Sequence, residues 1–420
     1  MLQSGITKKE MFAWASLDFA NSGYTTVVLT TIFNVYFVTV IAGDVAEATF
    51  LWTLTLSISY VFIMIISPLI GSYVDARATH RKILLLATIC CSISTIILGF
   101  CGVDDMKLAI FFLVLSNCSY AIHQNTTAAL LSKIADIRHL GKISGYGWAW
   151  GFVGGILSLV LSLWWLSQSF SVLPASLSEG VDQGIMGALT LTGFLFLLIG
   201  CFSLYFLRNI IISPTNLDWK NSWSNHFYNI SRLTSERDIL ILYFCIFLYH
   251  CGIAAVITVA SIYASKVMGF TIKEIVGLVL IVNISACIGS FLFGRLQDKV
   301  GHKSSLMGIV FFWIIAILFL FFSNKALMFY ISANFIGLGL GAAQSAGRAS
   351  IAYLAPKRRQ AEYFGVWGFF VNASSVVGPL SYGVLTLIFL DNHKLAAVGL
   401  IPFFILSLIL LHRVRFVRPR

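Results

Sequence analysis

Charge is scarce in this chain. Only 11% of its 420 residues are Asp, Glu, Lys or Arg, against about 25% in an ordinary soluble domain. A soluble protein of this length would need far more polar surface. Absent too is the strict polar–apolar alternation over about ten residues that marks a transmembrane β-strand, which excludes a membrane barrel. The first apolar run is long, contains Asp18 and leads straight into further runs, so no cleavable signal is expected. No lipidation motif is visible. The eight cysteines (Cys90, Cys91, Cys101, Cys118, Cys201, Cys245, Cys251 and Cys287) form no CxxC pair and lie in or at the ends of apolar runs. They are expected to be small packing residues, with no metal site and no cofactor. Neither HExxH nor GxxxxGK occurs, so the motif-bearing metalloprotease and nucleotide-loop enzymes are excluded.

What is present is apolar sequence: 58% of residues are hydrophobic. Runs long enough to cross a bilayer recur from end to end. Twelve spans are expected near residues 11–42, 46–74, 83–103, 107–134, 143–166, 184–207, 237–265, 271–295, 304–323, 327–355, 363–390 and 394–412. With the N-terminus inside, 22 of the 28 lysines and arginines fall on inner segments, 5 on outer segments, and Arg348 alone lies within a span. Positive residues stay inside, so both termini are expected in the cytoplasm, in a bacterial inner membrane. The net charge of +11 is then a consequence of topology, and nucleic acid is not an expected partner. The expected partners are the lipid bilayer, a small-molecule solute and, as a coupling ion, protons; a monomer is expected. Residues 208–236, rich in Asn and Ser and of mixed charge, read as a cytoplasmic linker. It separates a six-span unit, 1–207, from a second, 237–412, followed by a basic tail, 413–420.

The two units carry the same signals. "GSYVDARATHRK" (71–82) follows the second span and "GRLQDKVGHKSS" (294–305) the eighth. Each begins GxxxD and ends in basic residues, and Asp75 and Asp298 are 223 positions apart. "ISGYGWAWGFVGG" (143–155) opens the fifth span and "AEYFGVWGFF" (361–370) the eleventh, with Gly145 and Gly365 220 positions apart. Parallel six-helix repeats of this kind build transporters whose two halves rock about a midplane site. An Asp at the end of one helix can hold basic residues or the N-terminus of a neighbouring helix. The candidate gate residues are therefore Gly71, Asp75, Arg81 and Lys82 in one loop, and Gly294, Asp298, Gly301 and Lys303 in the other. The glycine runs at 145–155 and 337–343 are expected to permit close helix approach, and Gly378-Pro379 to mark a bend.

These loops resemble the signature loop of the major facilitator superfamily, G-x-x-x-D-x-x-G-x-[RK]-[RK]. The second copy fits; in the first, Ala78 stands where the second glycine is usual. The first span, "WASLDFANSGY" (14–24), is similar to the opening span of the vacuole-effluxer family, which includes autophagy-related amino-acid effluxers. Trp14, Asp18, Ala20, Asn21, Ser22 and Tyr24 match its W-x-x-x-D-x-A-N-S-x-[YF] pattern, and "GLGLGAAQSAGRAS" (337–350) looks like the family's glycine-rich run. The resemblance implies an all-α integral membrane protein of the major facilitator fold. Twelve transmembrane helices would form two pseudo-symmetric six-helix bundles around a central cavity. It also implies secondary transport of a small solute.

Ionisable residues inside a bilayer mark functional sites. Of seventeen acids only Asp18 lies deep in a span, with His123, His250 and Arg348 the other deep ionisable residues. They occupy the first, fourth, seventh and tenth spans, the cavity-lining helices of the fold just named. Asp18 and Arg348 each lie about 10–12 Å from the same membrane face. Polar neighbours complete the candidate site: Asn21 and Tyr24, Tyr120 and Gln124, Tyr243, and Gln344. Arg348 could take a carboxylate bidentately with help from Gln344. Asp18 could hold an ammonium group, carry a coupling proton, or pair with Arg348. The histidines could relay protons or donate hydrogen bonds; a purely structural ion pair and satisfied interhelical histidines are the alternatives. An amino acid or similar zwitterion is the expected solute. The alternative is an anionic metabolite or carboxylate siderophore anchored on Arg348, carried inward or outward. A receptor or a channel would need neither two gate loops nor alternating access.

Overall fold

In a bilayer every backbone polar group must be bonded within the protein, so apolar runs of this length become helices. A computed structural model of the chain describes residues 1–43, 48–168, 182–210, 212–215, 237–266, 268–270, 272–323, 325–390 and 392–417. Its twelve long apolar helices are α1 (Lys8–Ile41), α2 (Ala48–Arg77), α3 (His80–Leu98), α4 (Met106–Ile134), α5 (Ile137–Ser167), α6 (Gln183–Asn209), α7 (Arg237–Lys266), α8 (Ile272–Val300), α9 (His302–Phe322), α10 (Ala326–Leu354), α11 (Gln360–Ile388) and α12 (His393–Arg413). This is an integral membrane protein of twelve helices, as expected. Large apolar side chains such as Phe62, Leu86, Phe111, Leu198, Phe319 and Leu387 are exposed around it, where lipid covers them. Most of the expected linker, 216–236, lies outside the described residues. Just before it, the Thr215 amide donates to the carbonyl oxygen of Asp75, at 3.1 Å.

Helix α1 starts on a capping box. The Thr7 hydroxyl accepts from the Glu10 amide at 3.2 Å, and the Glu10 carboxylate accepts from the Thr7 amide at 2.8 Å. Ahead of it, Leu2 forms an antiparallel bridge with Ala135, between α4 and α5. The far half of α1 loosens into π-helical turns at Thr25–Thr31 and Phe37–Ile41, a feature that often accompanies functional segments. Both Pro68 and Pro379 sit inside continuous helices. Beside Pro379, Gly378 lies against the carbonyl of Cys251 in α7.

Residues 1–7, residues 414–417 and the arginine-rich loops gather at one end of the bundle, the basic end. One apolar core there runs through both halves. It joins Trp14, Leu17, Ala128 and Ile143 to Tyr243, Ile246, Ala346, Phe364 and Trp367. Toward the opposite end lie two further clusters, beside the part of this core that reaches Ala396 and Leu400 of α12. One is built on Phe33, Phe37, Trp52 and Leu113, and another on Leu278, Leu320, Phe329 and Ala333. The halves share the core at the basic end, and Val279 and Leu280 of α8 also pack against the first-half cluster toward the opposite end.

Glycines set that contact. A Cβ on Gly145 would strike the carbonyl of Ser290 and the Cα of Gly294, so α5 and α8 cross backbone to backbone. The mirror crossing joins α2 and α11, with Gly71 against the carbonyl of Ala361 and Gly365 against that of Ser67. The glycines of 145–155 and 337–343 also let helices approach within each half, for example Gly154 on Phe19 and Gly341 on Ala286.

The two signature loops differ in strain. Gly301 has φ 87° and ψ 157°, a region essentially reserved for glycine. Three residues after Asp75, Ala78 takes φ 54°, where an L side chain meets the following carbonyl. Ala78→Gly is therefore expected to stabilise the protein by about 0.5–1 kcal/mol, and Gly301→Ala to destabilise it by about 1–3 kcal/mol. Melting temperatures of the purified protein should move in opposite directions. A lower melting point for Ala78→Gly would contradict this reading of the first loop.

Candidate functional site

Arg348 on α10 is 1% exposed and Asp18 on α1 is 4% exposed. Their separate burial would be costly, and the fold brings them together. Arg348 Nη1 donates to Asp18 Oδ2 at 2.6 Å. Its Nε donates to the Ser144 hydroxyl at 3.0 Å and its Nη2 to the Ser144 carbonyl at 2.9 Å, both on α5. The guanidinium carbon lies 4.9 Å from the Trp14 ring centroid and 5.3 Å from that of Trp148. Trp14 is oriented by its indole N–H, which donates to the Thr127 carbonyl of α4 at 2.8 Å. Gly147 makes room: any side chain there would collide with Asp18, Arg348 and Trp14. The Ser144 hydroxyl in turn donates to the Ser345 carbonyl of α10 at 2.8 Å. The ion pair therefore crosses from one half to the other, inside the packed end.

One helical turn further from the basic end lie two imidazole–carboxamide pairs. In the first half, His123 Nδ1 donates to Asn21 Oδ1 at 2.8 Å. In the second, His250 Nδ1 donates to the Ile246 carbonyl at 3.0 Å, and Gln344 approaches the same side chain. Among the described residues, Nε2 of both histidines and Nδ2 of Asn21 are buried without a hydrogen-bond partner. His123 is fully buried, with its ring 5.2 Å from that of Phe196 on α6. It points into the first half rather than into a space between halves. Tyr24 is likewise internal: its hydroxyl lies 2.8 Å from that of Ser116 and its ring stacks on Tyr120 at 5.2 Å. Tyr243 ties α7 to α11 through a 2.8 Å bond to the Tyr363 carbonyl and a stack on Phe370. Tyr120, Gln124 and Gln344 are half-buried.

The gate residues divide by type. Asp298 accepts from the Gly141 and Lys142 amides at 2.8 and 2.9 Å, capping the start of α5 from the other half. Asp75 accepts from the Glu362 amide at 2.8 Å, capping α11 in the same way, with His80 Nε2 at 3.5 Å. Free N–H groups and the positive end of a helix favour a carboxylate at such a position. Glu362 is itself held by Arg359 at 2.7 and 2.8 Å. The basic residues are placed elsewhere. The Lys303 ammonium donates to the carbonyls of His412 and Val414 at 2.6 and 3.1 Å, closing the end of α12 within its own half. Arg81 and Lys82 are exposed on the first turn of α3. The lysine serves the negative end of a helix, which is where a cation gains most.

Sequence reasoning left Ser144, Gly147 and Trp148 out of the site. They share one face of α5 at i, i+3 and i+4 spacing, hidden in a run that reads as a packing stripe. Trp14 was visible only as part of the first-span pattern, one turn before Asp18.

Residues 131–420 match the family model described as vacuole effluxer Atg22 like. The MFS-type transporter YxiO of Bacillus subtilis (strain 168) is 23% identical over 414 residues, covering 96% of this chain and 94% of that protein. The fold is shared with many solved structures. FucP, a major facilitator superfamily transporter in the outward conformation, superposes with TM-score 0.75 at 10% identity, covering 96% of this chain and 98% of that one. The human organic anion transporter MFSD10 gives TM-score 0.73 at 12% identity, with 96% and 99% covered. With its two pseudo-symmetric six-helix halves, this chain is a transporter of the major facilitator fold, not an enzyme, and it belongs to the vacuole effluxer Atg22 like family.

Proposed function

We propose that the protein is a secondary active transporter that moves an amino acid or similar zwitterion by alternating access. It acts as a monomer in a bacterial inner membrane, with both termini and the basic end in the cytoplasm and protons as the coupling ion. The observation that carries this reading is the buried Asp18–Arg348 pair, whose partners belong to different halves. A buried pair is strongly disfavoured when only one partner is removed. The halves therefore separate at low cost only if something replaces each partner. A zwitterion supplies both replacements at once, a carboxylate for Arg348 and a cationic group for Asp18. His250, Gln344 and Asn21, one turn away, supply spare hydrogen-bonding groups for the body of the solute.

The test is a binding screen of the purified protein against amino acids, short peptides, organic acids and siderophores, read as thermal stabilisation and followed by counterflow in proteoliposomes. One zwitterion class should raise the melting temperature saturably, since a ligand held only by the folded protein stabilises it. The effect should vanish when the amino or the carboxyl group of that solute is blocked. Equal stabilisation by simple organic acids would instead favour an anion carrier.

A further inference from the structure

Among the described residues, every acceptor around the Arg348 guanidinium comes from the first half. Asp18 and Trp14 lie on α1; Ser144 and Trp148 lie on α5. Among the described residues the second half contributes the guanidinium and the Ser345 carbonyl, which accepts from the Ser144 hydroxyl. Three oxygens meet the planar fork: the Asp18 carboxylate, the Ser144 hydroxyl and the Ser144 carbonyl. Two indole rings flank it, the environment a cation prefers when removed from water. Gly147 keeps the floor open. That is a guanidinium receptor, built on one closely packed pair of helices and filled by a side chain from elsewhere in the same molecule.

We propose that Arg348 is an internal stand-in for a ligand, and that in the unlatched state the cage of Trp14, Asp18, Ser144 and Trp148 binds the guanidinium group of a transported solute. This rests on the alternating-access reading above and narrows it to guanidinium-bearing zwitterions. When the halves separate at the basic end, Arg348 leaves with α10 and the cage keeps its acceptors. Asp18, buried and negative, then needs a cation. A planar, five-donor group with an aromatic-compatible face matches the cage better than a compact ammonium does. In the latched state Arg348 competes at very high effective concentration, so external ligand binds the unmodified protein weakly.

The experiment uses the full-length protein in detergent and ethylguanidinium as the probe. Arg348→Ala empties the cage, and ethylguanidinium should stabilise this variant saturably, with a midpoint at least about tenfold below that of the unmodified protein. The response should disappear in Arg348→Ala/Asp18→Asn and weaken several-fold in Arg348→Ala/Trp148→Ala. Neutral ethylurea should give none and ethylammonium a weaker one. A second protein, Asp75→Ala/Asp298→Ala, keeps Arg348 and the cage but lacks both helix caps. It should bind L-arginine several-fold more tightly than the unmodified protein does, and it decides the matter alone if Arg348→Ala does not fold. Absence of saturable guanidinium binding, or equal binding when Asp18 is Asn, overturns the cage. If other zwitterions are still carried in counterflow, only the cage falls. If no solute is carried at all, the transport reading itself falls.

Discussion

Arg348→Ala is expected to cost about 3–5 kcal/mol of stability, because it strands a buried carboxylate. Transport should be lost with it. The burial and the single close partner of Asp18 make this a much larger effect than cutting a surface ion pair, which is worth about 0–1 kcal/mol. Asp18→Leu/Arg348→Met removes both charges and fills similar volume, and most of the lost stability should return. Transport should not return, since no group is left to hold a charged solute. Denaturation midpoints of the two single variants and the double variant give the coupling energy directly. Arg348→Lys keeps the charge but not the fork to Ser144, so it should fall between unmodified protein and alanine. If Arg348→Ala were as stable as the unmodified protein, Asp18 could not be an unscreened buried anion, and the pair could not be the lock proposed above.

Removing the two helix caps should shift the conformational balance rather than unfold the protein. Each carboxylate cap is a charge-assisted contact of about 1.5–3 kcal/mol. Asp75 and Asp298 sit at separate helix crossings, so Asp75→Ala and Asp298→Ala should add. A sum of about 3–6 kcal/mol corresponds to roughly a 10²–10⁴-fold change in the ratio of closed to open states at the basic end. Spin labels at the exposed positions Arg138 and Lys299 should report a longer distance population in the double variant. Labels at Arg81 and Arg358 should do the same at the other crossing. The single variants should fall in between. An unchanged distance distribution would show that glycine packing alone holds the ends together.

Much of this was legible in the sequence because a bilayer leaves so few options. Twelve apolar runs and a one-sided distribution of Lys and Arg suffice for twelve helices and an orientation. The 220-residue repeat points to two halves. The census of deep charges picked out Asp18 and Arg348, and their equal depth made a pair one of the readings. Less visible was what lies beside them. Ser144 acts through its backbone carbonyl as well as its hydroxyl, and a carbonyl has no residue type. Gly147 acts by lacking a side chain. His123 looks like a cavity residue from its depth, but helix rotation, which depth does not encode, turns it toward Phe196. The basic ends of the signature loops read as gate charges from composition alone. The competing acceptor for Lys303, the end of α12, lies more than a hundred residues away.

The partners of the ion pair are 330 residues apart in the chain. During synthesis Asp18 enters the membrane among the first helices, and its arginine is made only after eight more spans, in the tenth. At the ribosome, for most of translation, an acid intended for a dry interior has no counter-ion. The first half must meanwhile keep that acid wet or neutral, leaving α1 and α5 loosely seated until α10 arrives. Final seating of α1 is thus postponed to the end of biogenesis. A chain truncated before residue 348 should be retained by insertion factors or degraded, even though all six helices of its first half are intact.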